Sequence, residues 1–208
     1  MKYLFEIRHG LGDTVHALPA LKVLRCKDPD AYIAVIVKDI ANRQLIEMSH
    51  IRVDKFYYMD IKKITLLKML NLIYALHKES FDYSFLSPVT KRNKGLILNF
   101  LIGAKHNVGE QYKKLDLEEL DNTVHLVTRN VQLLKEVGID ISGLQKPLLF
   151  PLEEDKSYIK ALIGTVNNKV ITLNVGNATP SVYKGKSVYT RGWGKENIKK
   201  LITELLKY

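Results

Sequence analysis

Gly10, Gly12 and Asp13, flanked by His9 and His16, bring a backbone opening, a carboxylate and two imidazoles within eight residues. Two glycines let a ligand approach the main chain closely, and a carboxylate beside them can take a proton from a ligand hydroxyl as general base. A second role fits the same spacing. As the N-cap of the helix that follows, Asp13 would accept from the N–H of Val15 or His16 and stabilise that helix by about 1 kcal/mol. The two roles are compatible, since a capping carboxylate keeps a free oxygen.

Other chemistries fit these residues less well. The dinucleotide fingerprint G-x-G-x-x-G fails at its third glycine, where Val15 stands. The Asp13 carboxylate also occupies the helix start that a pyrophosphate would need, setting like charges together. His9 and His16 read as hydrogen-bonded structural residues when taken singly. No His/Cys/Asp cluster has metal-ligand spacing, so no metal is expected, and no G-x-S-x-G nucleophile turn occurs.

The elements around this turn follow from pattern. Leu4–Ile7 is an apolar strand that runs into the turn, and a helix continues to Leu24, with Pro19 expected to bend it. Tyr32–Val37, YIAVIV, is a β-branched run suited to a strand buried on both faces. A short helix over Ile40–Met48, a strand over Val53–Met59, a well-buried helix over Ile61–Lys78 and a strand over Phe81–Leu86 come next. The basic loop Lys91–Lys94 leads into a helix over Gly95–Ile102, and Lys105–Val108 is a brief strand. Asp121 or Asn122 caps a helix that ends at Gly138. Strand–helix alternation predicts an α/β, Rossmann-like, mostly parallel sheet with helices on both faces.

Beyond the stiff connector Pro147–Pro151, the pattern predicts a helix over Glu153–Gly164, a strand over Lys169–Asn174, a polar loop over Val175–Gly194 and a last helix from Lys195. The resulting division is a Rossmann-like domain over residues 1–146, a connector and helix over 147–168, and the opening strand–loop–helix of an incomplete second domain over 169–208.

Composition narrows the partners. Thirty-two Lys+Arg against 22 Asp+Glu give a net charge of +10, which favours a phosphorylated substrate or an anionic membrane surface. No nucleic acid is expected: the basic residues are spread along the chain, and no zinc spacing or aromatic RNA-binding signature appears. A lone Cys26 excludes an internal disulfide and suits the cytoplasm. The apolar segment Ile64–Leu76, broken by Lys68 and Asn71, falls short of a membrane span.

IRHGLGDTVHALPALKVL resembles the N-terminal signature of the heptosyltransferases of glycosyltransferase family nine, through its strand, Gly12-Asp13 and Leu18-Pro19-Ala20-Leu21. FDYSFL matches that family's later strand, while KVITLNVG (Lys169–Gly176) and RGWGKEN (Arg191–Asn197) resemble the opening of its second domain. The resemblance implies a GT-B fold, with the acceptor on the first domain and the nucleotide sugar mainly on the second. It further implies a cofactor-free, metal-independent inverting transfer, with Asp13 as general base, from ADP-heptose or another nucleotide sugar to an acidic, lipopolysaccharide-core-like glycolipid.

On this resemblance His9, Gly10, Gly12, Lys62, Lys63, Lys91 and Arg92 would bind the acceptor, and Asn177, Thr179, Arg191 and Trp193 the nucleotide sugar. Arg191 replaces the lysine common two positions before the tryptophan, which would give bidentate rather than point contact with a diphosphate. The family's later sugar-nucleotide motifs have no counterpart in these residues, so a catalytically silent acceptor-binding domain is the alternative expectation. A Rossmann-like nucleotide-binding protein of another class is the third.

Overall fold

The computed structural model of the chain describes residues 1–112, 124–142, 149–164, 170–173, 181–183, 186–188 and 195–206. They divide into two compact units, Met1–Lys156 and Ser157–Tyr208.

In the first unit, β1 (Lys2–Ile7), β2 (Tyr32–Val37), β3 (Lys55–Tyr58), β4 (Tyr83–Leu86) and β5 (His106–Val108) form one parallel sheet in the order β3-β2-β1-β4-β5. The connections are α1 (Leu11–Lys27), α2 (Ile40–Glu47), α3 (Leu66–Lys78) and α4 (Arg92–Ile102). Alternation along the strands separates two cores. Tyr3, Phe5 and Ile7, with Ile33, Val35 and Val37, pack beneath Leu18, Leu21 and Leu24 of α1 and Ile46 of α2. Leu4, Ala34 and Ile36 face the other way, onto Leu76 of α3 and Leu98 and Ile102 of α4. A period of two along a strand and a helix on each face require this division. Because α1 and α2 cover one face and α3 and α4 the other, the strand order reverses between β1 and β4. The crevice outside the carboxyl ends of those two strands is where such sheets bind ligands.

Several boundaries differ from the sequence expectations. Helix α4 begins at Arg92 rather than Gly95, since the Gly95 N–H already donates to the Lys91 carbonyl at 2.9 Å. Gly95 permits this close seat: a Cβ there would lie 2.9 Å from Leu86 Cδ1 and 3.1 Å from Thr90 Cγ2. Helix α3 begins at Leu66, because Asp60 closes a separate turn by accepting from Lys62, Lys63 and Ile64. Nor is α3 well buried: Leu76 is its one fully covered residue, while Leu66, Leu67, Leu70 and Tyr74 are exposed. Periodicity marks a helix's apolar face but not whether anything covers it. Helix α1 runs through Pro19 without interruption.

Helix α5 (Leu126–Lys135) is capped by His125 Nδ1, which accepts from Val127 N–H, and it packs on α1. The expected caps Asp121 and Asn122 lie outside the described residues. Helix α6 (Glu153–Ile163) follows.

The second unit contains the antiparallel pair β6 (Ser181–Tyr183) and β7 (Lys186–Val188), then α7 (Lys195–Leu205). The pair lies within the segment expected to be loop. Residues 170–173 of the expected strand Lys169–Asn174 are in no strand, and Val170 and Ile171 are exposed. A buried-type strand needs a partner on each side, and β6 and β7 pair only with each other.

Candidate functional site

A charged network spans the crevice between β1 and β4. Glu6, the penultimate residue of β1, is 2% exposed. Its Oε1 lies 2.6 Å from Arg8 Nε and 3.5 Å from His9 Nε2. Its Oε2 accepts from the Thr90 hydroxyl at 2.5 Å and from Ser87 N–H at 3.3 Å. The loops after β1 and after β4 are thereby joined through one buried carboxylate. Burial pushes the Glu6 carboxyl up, but the His9 bond, the Arg8 charge and the Thr90 hydroxyl together outweigh it and hold the group below its ordinary range. Gln111 fastens the same loop, donating to the Ser87 and Thr90 carbonyls at 2.9 and 2.8 Å.

Proton counting fixes the direction of the His9–Thr90 bond. Thr90 has one hydroxyl proton, and it goes to the ionised Glu6. The 2.7 Å contact between His9 Nε2 and Thr90 Oγ1 therefore requires the imidazole to donate from Nε2. In the neutral ring this leaves Nδ1 as the acceptor.

Asp13 does not cap α1 as expected. Gly10 is the N-cap, its carbonyl accepting from Thr14 N–H at 3.1 Å, so Asp13 is the third helical residue. Its Oδ2 reaches back to accept from Gly10 N–H at 3.0 Å. This is the backward half of a capping box; glycine has no side chain to supply the forward half. Among the described residues, nothing donates to Oδ1, and the residue is partly exposed. Thr14 and Asn42 brace the turn: buried Asn42 donates to Thr14 Oγ1 at 2.7 Å and to the His9 carbonyl at 3.2 Å. At Gly12, an added Cβ would meet nothing within 4 Å. This second helical position is therefore open to an incoming molecule.

Lys91 and Arg92, both exposed, are the N-cap and first residue of α4, directly after Thr90. The Thr90–His9 contact therefore brings them to the same crevice as His9, Gly10 and Asp13. With Lys94 they place three cations on the positive end of a helix that has no acidic residue in its first turn. Each opposes the helix dipole at a cost of about 0.3–1 kcal/mol, an arrangement that an anion would relieve. Lys62 and Lys63 stand apart, in the turn after β3, two strands from β1. Asn177, Thr179, Arg191 and Trp193 lie outside the described residues. Among the described residues, no three His, Cys, Asp or Glu side chains converge on a metal position.

Sequence reasoning missed Glu6, Arg8, Thr90, Asn42 and Gln111. One signal was available: a glutamate inside the apolar run LFEI must find a partner if it is buried.

No protein-family model matches the sequence, and a comparison with curated proteins gives no match. Solved structures do match. A glycosyl transferase family 9 protein from Veillonella parvula superposes with TM-score 0.61 at 16% identity, over 86% of this chain and 54% of that one. The ADP-heptose lps heptosyltransferase II of E. coli gives TM-score 0.54 at 20% identity, over 80% of this chain and 52% of that one. The chain thus has the α/β, Rossmann-like fold of these GT-B glycosyltransferases and spans about half their length.

Proposed function

We propose that this chain is a glycosyltransferase of the heptosyltransferase type, in which residues 1–146 bind the acceptor and the segment from residue 169 contributes to the donor site. The observation that carries the reading is Asp13, at the carboxyl end of the central strand and beside a basic helix start; among the described residues one of its oxygens is held and one free, and the helix-start cations pair with no carboxylate. A likeness of fold alone would not select this chemistry.

In the proposed reaction, Asp13 Oδ1 accepts the proton of an acceptor hydroxyl as that oxygen attacks the anomeric carbon of an ADP-heptose-like donor. The bond from that carbon to the diphosphate oxygen breaks, the electron pair leaves with the nucleoside diphosphate, and the anomeric configuration inverts. Lys91 and Arg92 hold phosphate on an acidic glycolipid acceptor, with His9, Gly10 and Gly12 lining its path and Lys62 and Lys63 further out. Asn177, Thr179, Arg191 and Trp193 hold the nucleotide sugar. The cytoplasm, where nucleotide sugars are made, is the compartment that fits.

The test is acceptor-dependent release of ADP from ADP-heptose by the 208-residue chain, using a phosphorylated lipid-core oligosaccharide. Thermal protection by NAD or ATP, with no response to ADP-sugars, would overturn the proposal. A second reading draws on the half-length match: the chain binds acceptor but does not transfer. Calorimetry separates the two, since acceptor binding without ADP-sugar binding supports the second and tight ADP-sugar binding opposes it.

Gly12 offers a narrower check. Gly12→Leu should leave the melting temperature equal or higher, because glycine in a helix is about 1 kcal/mol worse than a good helix former. It should weaken acceptor use by about tenfold, the scale of an overpacked contact. Unchanged KM for the acceptor would remove Gly12 from the acceptor's path.

A further inference from the structure

Helices α3 and α4 lie side by side and present a surface whose function the transfer reading leaves unexplained. Leu67 and Tyr74 on α3 are each 69% exposed, and Phe100 on α4 is 82% exposed. Between the helices runs a mainly apolar groove of about 220 Å³, lined by Met69, Ile73 and Leu98 and also by Arg8 and Lys94. Several large apolar side chains left exposed on two neighbouring helices, with an apolar groove between them, mark a surface that meets something.

Charge identifies what it meets. From Ile61 to Lys78, and from Tyr83 to Gly109, the chain has no aspartate or glutamate. Lys62, Lys63, Lys68, Lys91, Arg92 and Lys94 lie on the two helices or in the turns that lead into them, and among the described residues none of the six pairs with a carboxylate. The chain's other cations commonly do: Lys2, Lys55 and Lys105 each sit on an acidic neighbour. We propose that the α3–α4 face docks on an anionic lipid bilayer, its exposed leucines and Phe100 entering the acyl boundary while the surrounding cations meet headgroup phosphates.

A second copy of the chain suits the face poorly, because joining two such faces would oppose like charges without a compensating acid. Among the described residues no helix is long and apolar enough to cross a membrane, so the contact is with one leaflet. Arg8 lines the groove and also pairs with Glu6, so the docking face adjoins the crevice network. An acceptor anchored in that leaflet would be presented close to Lys91 and Arg92.

Co-sedimentation of the whole chain with vesicles tests the proposal without any transfer assay, so it stands or falls separately from the catalytic reading. Binding is expected to vesicles of equimolar phosphatidylcholine and phosphatidylglycerol, to be weak on phosphatidylcholine alone, and to fall as salt rises. Phe100→Asp and Leu67→Asp, at exposed positions where folding is little affected, should abolish most of it. Each cation removed near a bilayer surface costs about fivefold, so Lys68→Glu should lose about 25-fold. Lys160→Glu, an equal charge change on α6, should lose far less. Equal binding to both vesicle types would overturn the proposal, as would equal losses for Lys68→Glu and Lys160→Glu or full retention in Phe100→Asp. Sedimentation as a dimer that Phe100→Asp dissociates, with no vesicle binding, would overturn it in favour of self-association.

Discussion

Asp13→Asn should lower kcat for sugar transfer by about 10²- to 10⁴-fold, the usual contribution of a positioned general base, while leaving the fold intact. The substitution is informative because of the geometry at the turn. Asp13 Oδ2 accepts from Gly10 N–H, and an asparagine carbonyl can accept the same bond, so the helix start survives. What is lost is the charge and the basicity of the free oxygen. Thermal melting should therefore shift little, and KM for either substrate should change less than kcat. Asp13→Ala removes the cap as well, at about 1 kcal/mol of stability. If Asn at this position turned over as fast as Asp, the carboxylate would be only a cap and the base would have to be sought elsewhere. His9 Nδ1, an acceptor in the neutral ring that donates from Nε2 to Thr90, would be the next group to examine.

Glu6→Ala should destabilise the chain by about 3–5 kcal/mol. The cost arises less from the lost contacts than from what remains: an Arg8 side chain 8% exposed and no longer paired, together with Thr90 and Ser87 donors lacking an acceptor. Urea unfolding measures it; a change within experimental scatter would mean that Arg8 turns out to solvent once released. The pH dependence has a definite sign. The Glu6 pKa in the folded chain is lowered from 4.5, so the unfolded state binds more protons. Its contribution is complete above the unfolded value, and it is lost as pH falls through the lower folded one. Glu6→Gln should flatten that acid limb, and an unaltered limb would assign acid sensitivity to other carboxylates.

How much of this was readable beforehand depended on the kind of signal. The strand Tyr32–Val37 was found at its observed bounds because six consecutive apolar residues leave little choice. Strand–helix alternation predicts the parallel sheet with helices on both faces, but not the strand order that opens the crevice between β1 and β4. Asp13 is legible from its neighbours as a candidate base, but the N-cap position that spacing also offers it belongs to Gly10, whose carbonyl starts the helix three residues earlier. The start of α4 was missed because KRNK reads as solvated loop and opposes the helix dipole, an inconsistency of the sort that functional sites tolerate. Glu6 was invisible as a hub because its partners Thr90 and Ser87 are more than 80 residues away. The exposed face of α3 was read as buried, since a pattern of leucines cannot say what covers it.

The single hydrogen bond from Gly10 to Asp13 has one more consequence. A backbone amide whose acceptor is a carboxylate changes its proton resonance as that carboxylate gains or loses charge. Gly10 therefore carries a spectroscopic label for the proposed base, placed one bond from the oxygen opposite the reacting one. An NMR titration of that amide would follow the protonation of Asp13 in the resting protein and would show whether an arriving acceptor or donor displaces it. The state of the proposed base could then be observed in the absence of turnover, and in the absence of any substrate.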